Sequence, residues 1–269
     1  MNRQFVSGQL RQSIGPIKIL LALLIIALPI TIGAVGLDNV ALRDNLDVYD
    51  RMMTSPLGFV LPLVAVFVGC LGFYQQIRHR FVSYSRIRVD VKEYVTAQYI
   101  LGAVWGFALF FLLAFLAFII AFYIWPLLGN PGIDSGAYYL TPTQAVQQSY
   151  ERSSYTSLLR LGSFTYGLTY SMWFGLSGAM YAMLGTAALL LFRNGILALA
   201  SPFLLYLIET ILASLLGWPE GGLLYSLLPF GLSQAPILVA ALPTLTLGVL
   251  TAFIMWRTIR AAPLIENLA

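Results

Sequence analysis

Long apolar runs separated by short polar segments form the dominant pattern of the chain. A bilayer core about 30 Å thick is crossed by roughly 20 apolar residues in a helix. We therefore expect an all-α polytopic membrane protein, with one transmembrane domain over residues 1–269. The segments expected to span the membrane are residues 17–36, 57–73, 94–125, 161–192, 196–216 and 237–256. A β-barrel would instead show alternating segments of about ten residues.

Four of these runs carry details that affect the predicted topology. The runs at 94–125 and 161–192 have about 32 residues each, or about 48 Å of helix, so we expect them to tilt or to project beyond the bilayer. The run at 57–73 is short and contains Pro62, so the sequence does not define the ends of this helix closely. The first run has about 20 residues, more than the 7–15 of a signal-peptide core, and we interpret it as a true span.

Composition agrees with a membrane protein and excludes several soluble classes. Hydrophobic residues make up 59% of the 269 residues and charged residues only 10%, whereas a soluble domain carries about 25% charged residues. So few charges cannot cover a soluble globule of this size, which excludes a soluble enzyme, a nucleic-acid-binding domain and a disordered chain. The single Cys70 and the single His79 argue against an internal disulfide framework and against a cysteine- or histidine-ligated metal site.

The basic residues fall mainly on one side of the predicted membrane. Eleven of the fifteen Lys and Arg residues precede the first span, follow the sixth, or lie after the second or the fourth. Seven of the eleven acidic residues lie in the opposite loops. Because cytoplasmic loops are enriched in Lys and Arg, we expect a multi-pass protein of the plasma membrane with both termini in the cytoplasm. The sequence pI of about 9.2 then reflects topology and not a nucleic-acid partner.

The segment before the first span, residues 1–16, has the pattern of an interface helix. Four apolar residues recur there at roughly helical spacing among polar ones, and Pro16 ends the pattern. These residues are Phe5, Val6, Leu10 and Ile14. The pattern predicts an amphipathic helix at the cytoplasmic membrane surface, and the alternative is a disordered tail.

The first cytoplasmic loop, residues 75–93, combines basic with apolar side chains. It contains four Arg and one Lys, and also six apolar or aromatic residues between positions 81 and 91, which is more than a solvated loop needs. Two functions fit this composition: contact with anionic lipid head groups, and docking of a cytoplasmic protein. A third interpretation is a loop that only fixes the topology through its positive charge.

The opposite loops carry helix signals of their own. In the external loop, residues 126–160, the pair Thr141-Pro142 is a helix-start signal and predicts a small helical cap. Residues 217–236 are apolar but interrupted by Pro and Gly, which predicts short re-entrant or interfacial helices. The alternative there is a surface loop with exposed apolar residues. Residues 37–56, with four Asp and two Arg, are expected to form a short external segment with local ion pairs.

Glu209 is the only charged residue well inside a predicted span. An intramembrane carboxylate is by default a functional signal. A proton-coupled carrier, however, would ordinarily show a relay of several ionisable groups, so we favour a hydrogen-bonded structural role. The span at 161–192 carries hydroxyl and aromatic residues that fit either close packing or a substrate path. With Glu209, the candidates for a substrate path are Tyr166, Tyr170, Ser177 and Tyr181.

Enzyme signatures are missing from the sequence. Neither HExxH nor GxSxG occurs, so we do not expect an enzyme. The pattern GxxxxGK[ST] is also missing, and the chain therefore has no P-loop for ATP. No two halves repeat convincingly, which argues against the inverted-repeat carriers.

In its order of elements, the chain resembles the six-helix permease subunits of type 2 ABC exporters. An amphipathic N-terminal segment is followed by a basic loop before the third span, RFVSYSRIRVDVKEYVTAQYI. A very short loop after the fourth span leads into a span with a proline, LLLFRNGILALASPFLLYLIE. Short external helices, predicted at residues 217–236, precede the last span. The pattern covers nearly the whole chain, although the loop at 126–160 is longer than in compact members of the family.

This resemblance implies an ATP-driven transporter that exports a peptide, a drug-like molecule or a lipid-linked molecule. Its ATPase, with ATP and Mg²⁺, would be a separate cytoplasmic chain, and this chain would hold no cofactor. Two six-span chains of a bacterial membrane, identical or related, would form the path, surrounded by lipid. The residues implied in contact with the ATPase are Arg80, Tyr84, Arg86, Arg88, Asp90 and Lys92. The residues implied in an external gate are Trp218, Glu220 and Pro229.

Two functions of other classes remain open at this point. One is a non-transporting membrane subunit, such as a sensor, immunity or assembly factor that binds a partner. The other is an ion-coupled carrier that acts through Glu209. Substrate identity, direction of transport and the choice between a homodimer and a heterodimer are also open.

Overall fold

The computed structural model describes residues 15–35, 40–79, 90–231 and 234–264. Within these ranges 84% of the residues are helical and none belongs to a β-strand, which confirms the all-helical part of the predicted fold class. The predicted interface helix lies outside the described residues except for its last two positions, and so do residues 80–89 of the basic loop.

Nine α-helices follow one another along the described part of the chain. Six of them have 18 or more residues, and the other three are short helices in the connections. Their bounds are α1 Pro16–Ala34, α2 Asn45–Met53, α3 Leu61–Arg78, α4 Val91–Ile119, α5 Pro142–Glu151, α6 Ser163–Leu191, α7 Gly195–Leu215, α8 Leu223–Leu227 and α9 Ile237–Ala261. A π-helical segment, Ile120–Ile124, and a final turn, Trp125–Leu127, continue α4. The 3-10 helices are Pro56–Val60, Ser135–Tyr138, Ser154–Leu161, Pro219–Gly221 and Ala262–Leu264.

Within the described ranges, five helices are long and apolar enough to cross a membrane, namely α3, α4, α6, α7 and α9. The chain thus has the character of a multi-pass membrane protein. The apolar part of α1, Lys18–Ala34, is shorter than the five candidate spans, of which the one with α3 begins at Gly58 in the preceding 3-10 helix. The first of the six expected spans therefore stays a prediction. Pro62 does not interrupt α3, because it lies in the first helical turn, where its missing N–H removes no intrahelical bond.

The core of the fold is the packing of α6 against α4 and α3. Buried residues make up 78% of the most apolar window of α6, compared with 28% for α7, so α6 is the central helix. Glycines allow its close approach to α4: a Cβ on Gly178 would lie 2.5 Å from the carbonyl oxygen of Gly106. Both positions therefore exclude a side chain, as is common where membrane helices pack backbone to backbone.

Shorter helices distinguish the two ends of the bundle. One end, called the capped end here, is covered by the short helices α2, α5 and α8. These helices lie over the C-termini of α1, α4 and α7 and over the N-terminus of α6. At the basic end, α3 and α9 end with Arg78 and Arg260 in their last turns. The predicted basic loop, residues 75–93, is shorter than expected, because α3 continues to Arg78 and α4 already begins at Val91. A turn of three residues, 192–194, joins α6 to α7 at the basic end, where the side chain of Asn194 accepts hydrogen bonds from the first two N–H groups beyond Gly195.

Candidate functional site

Tyr49 of α2 lies at the centre of an aromatic cluster at the capped end. The residue is fully buried, and its ring makes edge-to-face contacts with five other rings at centroid distances of 5.8–6.4 Å. Its hydroxyl donates a hydrogen bond of 3.3 Å to the carbonyl oxygen of Ala114 in α4. The five partner rings are those of Phe118, Phe122, Tyr166, Tyr170 and Phe230. The helix α2 is therefore seated inside the bundle and not on its surface.

The four substrate-path candidates of α6 are buried in these packing contacts. The rings of Tyr166 and Tyr170 stack at 6.1 Å and belong to the cluster around Tyr49. The Ser177 hydroxyl donates a hydrogen bond of 3.0 Å to a carbonyl of its own helix, and Tyr181 packs edge to face on Tyr206 of α7. A solute could reach these side chains only if neighbouring helices moved apart. Their contact with a substrate stays a prediction.

The chain between α7 and α9 forms a capping segment, residues 218–231 and 234–235, which is tied to two of the long helices. The Tyr170 hydroxyl donates to the carbonyl oxygen of Leu227 at 2.8 Å, and the Trp173 indole N–H donates to that of Ser226 at 3.2 Å. The Ser226 hydroxyl shares a hydrogen bond of 2.8 Å with the hydroxyl of Thr244 in α9. The short helix α8 is thus held between α6 and α9.

Residues that follow α5 bind the same capping segment from the other side. The Ser154 N–H donates to the carbonyl oxygen of Pro229 at 3.2 Å, and the Gly231 N–H donates to that of Arg152 at 3.1 Å. The Ser154 hydroxyl also shares a hydrogen bond with the Tyr225 hydroxyl. Pro229, one of the three gate candidates, is therefore fixed in this bridge between the two external connections.

Glu209 and Thr210 of α7 supply an N-terminal cap for α8. The Glu209 carboxylate accepts a hydrogen bond of 2.7 Å from the Leu223 N–H, and the Thr210 hydroxyl accepts one of 3.3 Å from the Leu224 N–H. The first N–H groups of a helix have no partner within the helix, and a carboxylate is favoured at that end. The Glu209 carboxylate therefore helps to hold α8 against α7. The other two gate candidates, Trp218 and Glu220, lie just before α8, and the Trp218 side chain is half exposed.

A polar cavity of about 290 Å³ lies beside α2 at the capped end. Burial raises the pKa of Asp50 to about 6, against the opposing effect of a hydrogen bond of 3.0 Å from the Thr54 hydroxyl. Burial also raises the pKa of Asp44 to about 6, although the Asp47 N–H donates to its carboxylate at 3.1 Å. The charged residues that line the cavity are Arg43, Asp47, Asp50, Arg51 and Arg152. The cavity is therefore lined by both acidic and basic side chains.

At the basic end, a polar cluster joins the two flanks of the basic loop. The Tyr94 hydroxyl of α4 donates to the side-chain carbonyl of Gln76 in α3, and the Gln98 amide donates to the same oxygen at 3.1 Å. One turn away, the hydroxyls of Tyr99 and of Thr258 in α9 share a hydrogen bond of 2.7 Å. The ends of α3, α4 and α9 are therefore tied together beneath the loop.

Of the expected ATPase contacts, only two lie within the described residues. Asp90 is the N-cap of α4, and its backbone carbonyl accepts the Tyr94 N–H at 3.0 Å. Lys92 is exposed on the first turn of that helix. The other four, Arg80, Tyr84, Arg86 and Arg88, lie outside the described residues, so the structure does not test them.

The helix α2 and its packing against α4 and α6 were not predicted from the sequence. The predicted local ion pair of residues 37–56 is present, between Arg43 and Asp47 at 3.9 Å. The segment, however, is not only an external connection, because α2 buries Leu46, Tyr49 and Met53. The signal was present: apolar residues recur at helical spacing after Asp44, whose side chain accepts the Asp47 N–H as an N-cap. The predicted helical cap in the loop at 126–160 does form, as α5, with the capping box of Thr141 and Gln144.

Within the described ranges, no group of three or more His, Cys, Asp or Glu residues is placed to hold a metal ion. A comparison of the chain with protein-family models, with curated proteins and with solved structures gives no match.

Proposed function

We propose that the chain is the membrane-spanning permease subunit of an ABC transporter, which exports a peptide, a drug-like molecule or a lipid-linked molecule. A separate ATPase chain would bind ATP and Mg²⁺ and dock on the basic loop, residues 75–93. In this proposal the chain has six spans in a bacterial plasma membrane, with both termini and the basic end in the cytoplasm, as the positive-inside distribution favours.

The observation that carries the proposal is the polar cluster beneath the basic loop. The hydrogen bonds of Gln76 to Tyr94 and Gln98 tie the helix that enters the loop to the helix that leaves it. The bond between Tyr99 and Thr258 adds α9 to the same unit. A protein that pushes on the loop would therefore displace three long helices together. This is the mechanical coupling that a transporter driven by an external motor needs, and a loop that only fixed topology would not need it.

Two further features support the same function. The turn of three residues between α6 and α7, capped by Asn194, links the central helix α6 rigidly to the next one. The capping segment closes the opposite end with bonds to α6, α7 and α9. Movement of the helices at the basic end would thus be transmitted to a closure at the capped end, where Trp218, Glu220 and Pro229 are the gate candidates.

The path itself would lie between two chains, because the centre of this one is filled by packed side chains. Buried aromatic residues occupy the region around Tyr49 and Tyr170, and the glycine contacts of α4 with α6 leave no channel there. In contrast, α7 carries exposed apolar residues along much of its length, among them Ile208, Ile211 and Leu215. Such a surface is suited to lipid or to a second six-helix chain, identical or related.

Co-purification tests the proposal directly. The full-length protein, isolated in mild detergent from its native membrane, should bring with it an ATPase subunit that carries GxxxxGK[ST]. The double charge reversal Arg86→Glu/Arg88→Glu should abolish the association, whereas Arg160→Glu, at the capped end, should leave it unchanged. Recovery of the wild-type protein without an ATPase, or retention of the ATPase by the double variant, would overturn the proposal.

The geometry of Glu209 bears on the carrier alternative. Its carboxylate caps α8, and within the described residues no Lys, Arg or His side chain comes within 4.0 Å of it. Among the described residues, therefore, no basic side chain is placed to relay a proton to or from it. A non-transporting subunit would share the capped end but would not need three helices tied beneath a docking loop.

A further inference from the structure

An open groove of about 650 Å³ runs along the exposed side of α7 toward Trp218. Its walls are almost entirely apolar, with Leu205, Ile208 and Leu212 forming a stripe at helical spacing. The other lining residues are Ser201, Leu204, Glu209, Ala213, Leu216, Trp218 and Gly221. The volume falls within the 300–1,000 Å³ that is typical of sites for small molecules.

Glu209 is the only charged residue among the described residues that line this groove. Its carboxylate carries one hydrogen bond, from the Leu223 N–H, and has no basic partner in the described part of the chain. An ionised carboxylate in an apolar membrane environment is costly unless a cation or further donors compensate it. The N–H group and the helix terminus of α8 supply part of this compensation. The groove therefore offers one carboxyl group, bonded to a single N–H donor, on an apolar surface.

We infer that this groove binds lipophilic cations, such as hydrophobic amines, with the cationic group against Glu209 and the apolar body on the stripe of α7. The indole of Trp218 at the end of the groove is a second attractive surface for a cation, because ring faces attract positive charge. The assignment of these cations as the transported substrates rests on the proposed function, whereas the binding itself does not.

Two other occupants fit the charge less well. Lipid acyl chains match the apolar stripe but leave the carboxylate without a counter-charge. A second copy of the chain that packed α7 on α7 about a twofold axis would bring two Glu209 carboxylates toward each other. A cation with an apolar body satisfies both features of the groove at once.

A pair of probes with equal size and opposite charge tests the inference. The full-length protein in phosphatidylcholine nanodiscs is titrated with tetraphenylphosphonium and, separately, with tetraphenylborate, and binding to empty nanodiscs is subtracted. We expect saturable binding of the cation and none of the anion. Equal binding of the two ions would overturn the inference, because apolar contact alone would then account for it.

Glu209→Gln isolates the role of the charge. The glutamine side-chain carbonyl still accepts the Leu223 N–H, so α8 keeps its cap. We expect tetraphenylphosphonium to bind about tenfold more weakly, which is a loss of about 1.4 kcal/mol in binding free energy. The matched control Glu151→Gln removes an exposed acid of the capped end that does not line the groove, and it should bind like the wild type. Ile208→Trp, which fills the groove without altering its charge, should also weaken binding. Unchanged affinity in Glu209→Gln would overturn the inference.

Cross-linking separates a small-molecule site from a contact between two chains. In an otherwise cysteine-free protein, Cys70→Ala/Ile208→Cys, efficient cross-linking between copies together with absence of cation binding would assign the groove to a second copy and overturn the inference. The outcome is independent of the ATPase test: cation binding without an associated ATPase leaves this site intact and removes the transport proposal. An associated ATPase without cation binding would support the transport proposal and overturn the inference about the groove.

Discussion

The hydroxyl of Tyr49 donates a hydrogen bond of 3.3 Å to the carbonyl oxygen of Ala114, although 65 residues separate the two along the chain. The bond ties α2 to the interior of α4. Around it, five aromatic rings contact the Tyr49 ring edge to face, an arrangement that adds to the stabilisation from burial alone. We therefore expect the ring to contribute more than the hydroxyl to the free energy that holds α2 against α4 and α6.

Substitution of Tyr49 should separate these two contributions. Tyr49→Ala removes a fully buried ring and should destabilise the protein by about 3–5 kcal/mol, whereas Tyr49→Phe loses one hydrogen bond and should cost about 1 kcal/mol. Unfolding titrations in mixed detergent micelles measure both. Val146→Ala, which truncates an exposed residue of α5, is the control and should change little. Equal losses for the Phe and Ala variants would show that the hydroxyl dominates.

The raised pKa of Asp50 predicts a pH dependence of stability. Burial raises this pKa to about 6 in the folded protein, whereas an Asp in an unfolded chain titrates near 3.9. Between about pH 4 and pH 6 the folded state then binds more protons than the unfolded state, so stability falls as the pH rises through this window. The raised pKa of Asp44 acts in the same direction.

Asp50→Asn removes one of the two titrating groups and keeps an acceptor for the Thr54 hydroxyl. We expect this variant to be more stable than the wild type at pH 7 by about 1–2 kcal/mol, after allowance for partial solvent screening, and to lose less stability between pH 5 and pH 7. Thermal unfolding of the purified protein at the two pH values measures this. Glu151→Gln, at an exposed acid of the same end, serves as the control. The same pH slope in Asp50→Asn and the wild type would contradict the expectation.

The contact of Gly178 with Gly106 predicts intolerance of even one methyl group. In Gly178→Ala the new Cβ would lie 2.5 Å from a backbone oxygen of α4, which cannot move aside like the end of a flexible side chain. We expect a loss of about 1–3 kcal/mol in unfolding free energy. The matched control is Gly248→Ala in α9, where the Cβ would meet only the end of the Met180 side chain, at 3.1 Å. An equal effect of the two substitutions would exclude close helix approach as the cause.

The hydrogen bond between Tyr99 and Thr258 can be measured with a double-mutant cycle. Tyr99→Phe, Thr258→Val and the double variant should give a coupling energy of about 0.5–1.5 kcal/mol, the range found for polar contacts between membrane helices. Thr251→Val replaces Thr258→Val in the control cycle, because the Thr251 hydroxyl bonds only to its own helix. A coupling energy of equal size in the control cycle would mean that substitutions anywhere in α9 affect Tyr99, and that the hydrogen bond to Thr258 is not the cause.

The lengths of the apolar runs predict most of the long helices from the sequence alone. The predicted segment at 161–192 becomes Ser163–Leu191, and that at 196–216 becomes Gly195–Leu215. These boundaries follow from local signals, such as the Asn194 cap and the change from apolar to polar residues. The predicted helical cap of the long loop also rested on a local signal, the pair Thr141-Pro142.

Contacts that join distant parts of the chain could not be read in this way. The pattern of α2 is visible in the sequence, but its partner Tyr166 lies 117 positions further on and no local rule selects it. Glu209 was recognised as unusual, yet the donor that it binds, Leu223, belongs to the next element and offers only a backbone N–H. Every residue has such a group, so no sequence pattern identifies it.

Three of the bonds that hold the capping segment come from long helices, through Tyr170 of α6, Glu209 of α7 and Thr244 of α9. Each bond fails once its two atoms separate by little more than half an ångström beyond their present distance. If these helices spread at the capped end, the bonds are therefore lost over the same small displacement. Spreading of the helices would therefore release these three contacts within a narrow range of helix spacing, and a transporter built on them would expose its outer surface in a single step.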